Sequence, residues 1–254
     1  MNKIRIVNNN IIPFIDDNVI ICDNNITFSN SGNYYIDYVN SNNVKLVINI
    51  CDNKCIHLFE YSNNKDISFN IKYNLGSNSS LILSKFYYND MCNENININL
   101  NKKGANIKYN FSSINNNDNF YKINIYHLDK STSSDICNRI ISRGNSTNYF
   151  DINSYVNNGI KDCYLNQSTK IVTLGNSDNR INPNMFIGEE DTTAIHASTI
   201  GNISEEDLFY LMSRGISYKD AVKLIIKGMI LSNINPDMDI RKKILDILDM
   251  IGGE

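Results

Sequence analysis

From about residue 30 to residue 200, apolar and polar residues alternate in short runs. Ile67-Ser68-Phe69-Asn70-Ile71-Lys72-Tyr73 is the clearest of them. A strand sends successive side chains to opposite faces, so this period of two predicts a strand buried on one side. The same alternation recurs at residues 96–100, 107–111 and 123–126. Shorter apolar runs predict strands at 34–38, 44–48, 150–152, 171–174 and 185–187, and a β-type segment holds His196. Clusters of Asn, Ser, Gly and Asp separate these runs and supply turns. No long amphipathic helix interrupts them, which disfavours a wound α/β sheet. A sandwich, a barrel and a β-solenoid all fit this strand spacing. No exact repeat is visible to single out a solenoid.

The pattern changes after residue 200. Ser204-Glu205-Glu206-Asp207 is a serine N-cap with acidic residues in the first turn. Leu208, Leu211 and Met212 form an apolar stripe, and Gly215 is placed to end the helix. Ser217-Tyr218-Lys219-Asp220 repeats the start signal, and Val222, Ile225, Ile226 and Met229 follow at helical spacing. Asn235-Pro236 predicts the start of a third helix. Its expected stripe is Ile240, Ile244, Leu245, Leu248 and Ile251. The expected organisation is a mainly β core over residues 1–200 and a helical subdomain over 201–254.

Composition narrows the class. The chain of 254 residues has 42% hydrophobic and 20% charged residues, enough to build a core. A net charge of −3 provides no basic field, so nucleic acid is not the expected partner. No apolar run is long enough to span a membrane, and the N-terminus lacks a signal-peptide core, so the chain reads as cytoplasmic. Its six cysteines are then expected as thiols. There are 46 asparagines, 43 of them before residue 191. Asparagine tolerates left-handed turns, and stacked coils let its amides form ladders.

Catalytic motifs are absent. Without G-x-x-x-x-G-K-[ST] the chain cannot hydrolyse ATP by that loop, and neither a nucleophile elbow nor H-E-x-x-H occurs. Cys51-x3-Cys55-x-His57 is the one compact group of soft ligands, suited to zinc or an iron–sulfur site but lacking a second pair. Its alternative reading is one face of a bent strand. Cys22, Cys92, Cys137 and Cys163 stand alone and are expected as small buried hydrophobes. Glu189-Glu190-Asp191 reads as a solvated turn. His196 has the chemistry of a metal ligand, since a neutral imidazole coordinates well when its other nitrogen is held.

Several segments together resemble one family. His127 with Ser131-Thr132-Ser133-Ser134, then Arg139-Ile140-Ile141, is similar to a histidine, serine turn and strand pair found there. Residues 166–175 resemble its late strand, and Pro183-Asn184-Met185-Phe186-Ile187 the strand after it. Residues 191–201 are similar to the segment D-V-x-C-S-H-G-A-T-V-G, and Leu208-Phe209-Tyr210-Leu211 with Ser213-Arg214-Gly215-Ile216 to the helix that follows. The family is SufB/SufD, scaffold proteins of iron–sulfur cluster assembly. The likeness covers about residues 126–230 and is sharpest after Leu165.

The resemblance implies a right-handed parallel β-helix with C-terminal helices, not an enzyme by itself. It implies pairing with a SufB-type paralogue, or with itself, and docking of the SufC ABC ATPase through the helical region. Leu208, Phe209, Tyr210, Met212 and Arg214 are the candidate docking residues, Arg214 either bridging to the partner or satisfying the helix end. His196 is the candidate for cluster assembly, with no tightly bound cofactor and a transient iron–sulfur cluster at the subunit interface. Thr169 lies where SufB carries a cysteine, and Ala197 where SufB usually carries glutamate, so the chain is closer to SufD. Ala194 replaces the cysteine common in SufD. The chain is shorter than typical members and reads as a minimal SufD-like subunit without their N-terminal helical region. A SufB-type scaffold working with SufC alone, and a β-solenoid that binds or cleaves carbohydrate, are the rival expectations.

Overall fold

A computed structural model describes residues 2–12 and 16–251; residues 252–254 of the expected helical segment lie outside the described residues. The alternating segments stack into a two-sided β-solenoid of about six turns. Sheet A runs in spatial order through β17 (Thr192–Gly201), β15 (Cys163–Gly175), β13 (Ser133–Gly144), β11 (Asn106–Asn115) and β9 (Ser80–Tyr87). It continues through β7 (Cys55–Ser62), β5 (Gly32–Val39), β1 (Asn2–Val7) and β2 (Asn10–Ile11). Sheet B runs through β16 (Asp178–Ile187), β14 (Thr147–Val156), β12 (Asn119–His127) and β10 (Met91–Leu100). It ends on β8 (Asp66–Leu75), β6 (Asn43–Ile50), β4 (Asn25–Phe28) and β3 (Val19–Cys22). From β4 onward, successive strands alternate between the sheets, so each coil contributes one strand to each. The two hairpins β1/β2 and β3/β4 are antiparallel. Every other pairing among the described residues is parallel.

The coil lengthens along the chain. It takes 22 residues from Asn25 to Val47, 25 from Asn43 to Ser68, 27 from Cys92 to Asn119 and 31 from Thr147 to Asp178. One turn is nevertheless held in place from coil to coil. Asn53, Asn78, Gly104, Ser131 and Asp162 all have positive φ, between 49° and 73°. Each donates its backbone N–H to a carbonyl of the next coil, as in Asn78 to Lys103 at 2.9 Å and Ser131 to Lys161 at 2.9 Å. Asparagine and glycine suit this conformation, which accounts for part of the asparagine excess.

Asparagine ladders account for another part. On the outer face of sheet B, Asn99 donates to Asn74 and Asn74 to Asn49, both at 2.9 Å. The next positions in that column are Tyr126, Tyr155 and Phe186, whose rings stack at 4.9 and 4.8 Å. A second ladder runs Asn184 to Asn153 to Asn124 to Asn97. The amides satisfy one another along the stack, as expected for identical side chains at one strand spacing.

The lumen between the sheets is filled by Ile71, Tyr73, Ile96, Ile98, Leu83, Ile107, Tyr109 and their neighbours, all buried. A second core lies outside sheet A. There Phe59, Tyr61, Phe86, Ile114, Ile141 and Val172 meet α2 (Tyr218–Asn233) and α3 (Met238–Ile251) through Ile226, Ile230, Ile244 and Leu248. The preceding helix, α1 (Glu205–Ser213), buries no residue.

Both serine caps form as the sequence predicts, Ser204 accepting from Asp207 N–H and Ser217 from Asp220 N–H. Other details differ. The third helix starts at Met238, not at Pro236, because Asp237 caps it by accepting from Ile240 N–H at 3.0 Å. In α3 Ile247 turns inward where Leu245 was expected, and in α2 the buried positions are Ala221, Ile226 and Ile230. The stripe of α1 meets no core: Leu208 and Leu211 are half-buried and Met212 is exposed. Cys92 and Cys163 are buried as expected, but Cys22 is exposed and Cys137 half-buried, since both lie on outward faces.

Candidate functional site

The two ends of the solenoid are built differently. The short hairpin strands β2 and β3 cover the N-terminal end, a common way to blunt a sheet edge. At the other end, among the described residues, β17 pairs with β15 alone and β16 with β14 alone, so both present a free edge. Nearly every residue of β17 is exposed, including Ile195 and Ile200, and Phe186 of β16 leaves half its surface open. Ten-residue parallel strands with free edges and exposed apolar side chains are a template for another chain.

His196 sits on this end coil. Its register partner on β15 is Gln167, and the column continues inward through Ile136, Tyr109 and Leu83, all buried in the lumen. His196 therefore stands on the lumen side, exposed only because no further coil covers it. Together with Ala194 it lines a cleft against Pro183, Asn184, Met185 and Phe186 of β16. Beneath the cleft the lumen turns polar. Gln167 Nε2 donates to Ser154 Oγ at 2.8 Å and to the Asn184 carbonyl at 3.3 Å. Thr169, below Ser198 in register, accepts from Asn138 Nδ2 at 2.9 Å.

The other histidines differ from His196. His127 is buried, with Nδ1 2.8 Å from Thr132 Oγ1 and Nε2 3.0 Å from Ser134 Oγ. Burial pushes its titration down to about 4 from the usual 6.5, so it is a neutral structural ring. The serine turn read beside it in the sequence is its hydrogen-bonding partner. His57 and Cys55 point outward from β7 and are both exposed, while Cys51 lies in the turn after β6. Among the described residues no three His, Cys, Asp or Glu side chains are gathered for a metal.

The helical candidates lie together on one element. Phe209 is 76% exposed, Tyr210 58% and Met212 46%, with Leu208 half-buried beside them. Arg214, one residue past the helix, donates its backbone N–H to the Leu211 carbonyl at 3.1 Å, and its guanidinium lies 5.3 Å from the Tyr210 ring. The guanidinium is held beside the Tyr210 face by a cation–π contact. No helix among the described residues is long and apolar enough to cross a membrane.

Sequence reasoning missed an ionic cluster inside the lumen. Lys85 Nζ lies 2.6 Å from Glu94 Oε1 and 3.4 Å from Glu60 Oε2, with all three side chains fully buried. Tyr38 and Tyr73 donate to Glu60 at 2.9 and 2.5 Å. Burial, only partly offset by Lys85, raises the Glu94 carboxyl above its ordinary range. The signal was three charged residues at inward positions, Glu60 of β7, Lys85 of β9 and Glu94 of β10, the first two on strands whose outer faces are also buried. Gln167 and Phe186 fall within segments that resemble the family, but what marks them is their place beneath and across from His196.

The family model described as "SUF system FeS cluster assembly, SufBD core domain" matches residues 18–229. Iron–sulfur cluster assembly protein SufD of Bacillus subtilis is 26% identical over 128 residues, covering 49% of this chain and 29% of that protein. An iron–sulfur cluster assembly SufBD family protein of Mycobacterium leprae is 31% identical over 107 residues, 41% of this chain and 12% of its own length. One from Pyrococcus horikoshii is 57% identical over 35 residues, 14% of this chain and 8% of its own. The matched stretches thus span less than a third of each of these relatives.

Proposed function

Because the chain belongs to the SufBD core family of the SUF iron–sulfur cluster assembly system, we propose that it is a SufD-like, non-catalytic scaffold subunit. It pairs through its open end coil with a SufB-type subunit and docks a SufC-type ATPase through α1 and the start of α2. The cluster is its cargo, built at the paired interface, and His196 is its contribution to that interface.

The observation that carries this reading is the coincidence of the free edges of β16 and β17 with an unshielded lumen-side histidine. A partner seated on those edges would bury His196 and exclude water, conditions in which imidazole ligation is strong. The SufD assignment is supported by the likeness to the Bacillus subtilis protein and by Thr169 and Ala197 at positions where SufB carries cysteine and glutamate. The patch of Phe209, Tyr210 and Met212 supports docking at α1, since large exposed aromatic and Met side chains are frequent interface anchors.

Affinity purification of the chain from its native cell under anaerobic conditions, with partner identification, tests the reading. The expected partners are an ATPase of the SufC type and a cysteine-bearing SufB-type paralogue. Recovery of the ATPase without a paralogue would replace SufD-like pairing by self-pairing. Retention on a polysaccharide with neither protein would overturn the scaffold reading.

A further inference from the structure

Gln167 is almost fully buried, yet its Oε1 has no hydrogen-bond partner. The assignment of its amide is not arbitrary. Nε2 faces the carbonyl of Asn184, which can only accept, so the nitrogen belongs there and the oxygen opposite. Asn184 is itself fixed by donating to Asn153 Oδ1 at 2.9 Å and Asp151 Oδ1 at 3.2 Å. The orphan is thus a rigidly held acceptor in the low-dielectric floor of the cleft. An unsatisfied buried acceptor is costly, and few neighbours can supply the missing donor.

The register supplies one. His196 and Gln167 are paired residues on adjacent parallel strands, one strand spacing apart, with both side chains on the lumen side. Among the described residues neither the ring of His196 nor the oxygen of Gln167 has a hydrogen-bond partner. We propose that Gln167 is the positioning residue for His196: its Oε1 accepts one ring N–H, which fixes the tautomer and leaves the other ring nitrogen unprotonated and facing the cleft. Metal-binding histidines characteristically have their second nitrogen held in this way by an oxygen acceptor. The role assigned to that free nitrogen rests on the scaffold reading above. The hydrogen bond itself does not.

The test uses the full chain labelled with 15N-histidine, which has three histidines to resolve. Above the pH range of imidazole titration, one ring N–H of His196 should exchange with solvent at least about fivefold more slowly than that of the exposed His57, as one net hydrogen bond implies. Gln167→Leu should erase the difference. The buried ring of His127 reports whether that variant is folded. Equal exchange at His196 and His57 in the unmodified chain would overturn the proposal even if Gln167→Leu did not fold. Protection that persists in a folded Gln167→Leu would do so as well. Because the bond belongs to the isolated chain, its absence would leave co-purification with an ATPase untouched, and loss of that co-purification would leave the bond standing.

Discussion

His196 stands one strand above Gln167 on the lumen side of sheet A, at the C-terminal end coil, which no further coil covers among the described residues. One coil deeper the same column is Ile136, then Tyr109, both sealed in the core. The histidine is therefore a core position left open by the end of the fold. That single fact makes it both chemically available and dependent on whatever closes the end.

Docking at α1 predicts a clean separation of binding from stability. Phe209→Asp should abolish co-purification with the ATPase, because it places a charge in the middle of the proposed anchor patch. Since α1 buries nothing, the same change should move folding stability by no more than about 0.5 kcal/mol, the usual range for surface substitutions. Pull-down and urea denaturation on the same preparation check both halves. Retained binding would remove α1 from the interface.

The lumen cluster predicts an unusual loss. Lys85→Met leaves Glu60 and Glu94 buried without a cation, which should cost about 3–5 kcal/mol, as for other broken buried pairs. Glu94→Gln added to Lys85→Met should recover much of it, because the remaining carboxylate still accepts from Tyr38 and Tyr73. A carboxyl raised by burial favours folding in acid and loses that contribution as pH rises through its folded value. The deficit of Lys85→Met should accordingly shrink as pH falls towards about 4.5, the ordinary carboxyl value, and be smallest below it. Denaturation curves of the single and double variants, at neutral and acid pH, measure this.

His127 predicts a pH dependence of opposite sense. Its folded ring titrates near 4 and an unfolded one near 6.5, so the unfolded chain binds the extra proton between those values. Stability is then lost as pH falls from 6.5 towards 4, by up to roughly 1.4 kcal/mol per pH unit for this one group. His127→Asn should be less stable at neutral pH yet lack this component. The difference in unfolding free energy between the two chains, followed from pH 7.5 to 4, isolates it. A constant difference would contradict a buried neutral ring.

Much of this fold was written in the alternation of residues such as Ile67 to Tyr73, and the helix caps at Ser204 and Ser217 could be read directly. Strands β7 and β9 were not legible because the helices bury their outer faces too. Phe59, Tyr61 and Phe86 face out into a second core while Glu60 and Lys85 face in, which destroys a polar–apolar period. The solenoid repeat was hidden as well, because its length drifts from 22 to 31 residues. What is held constant is a backbone conformation, met by Asn53, Asn78, Gly104, Ser131 and Asp162 in turn. His196 was legible as a candidate only through its neighbours in sequence. Its partner Gln167 lies 29 residues away and becomes visible once the register is known.

The most direct test of the account is cluster formation by the purified complex, prepared anaerobically with unmodified chain and with His196→Ala. The account predicts that the variant assembles with the same partners and ATPase but forms little or no cluster on supply of iron, sulfide donor and ATP, followed by visible absorbance. Cluster formation at the unmodified rate in an intact His196→Ala complex would contradict it.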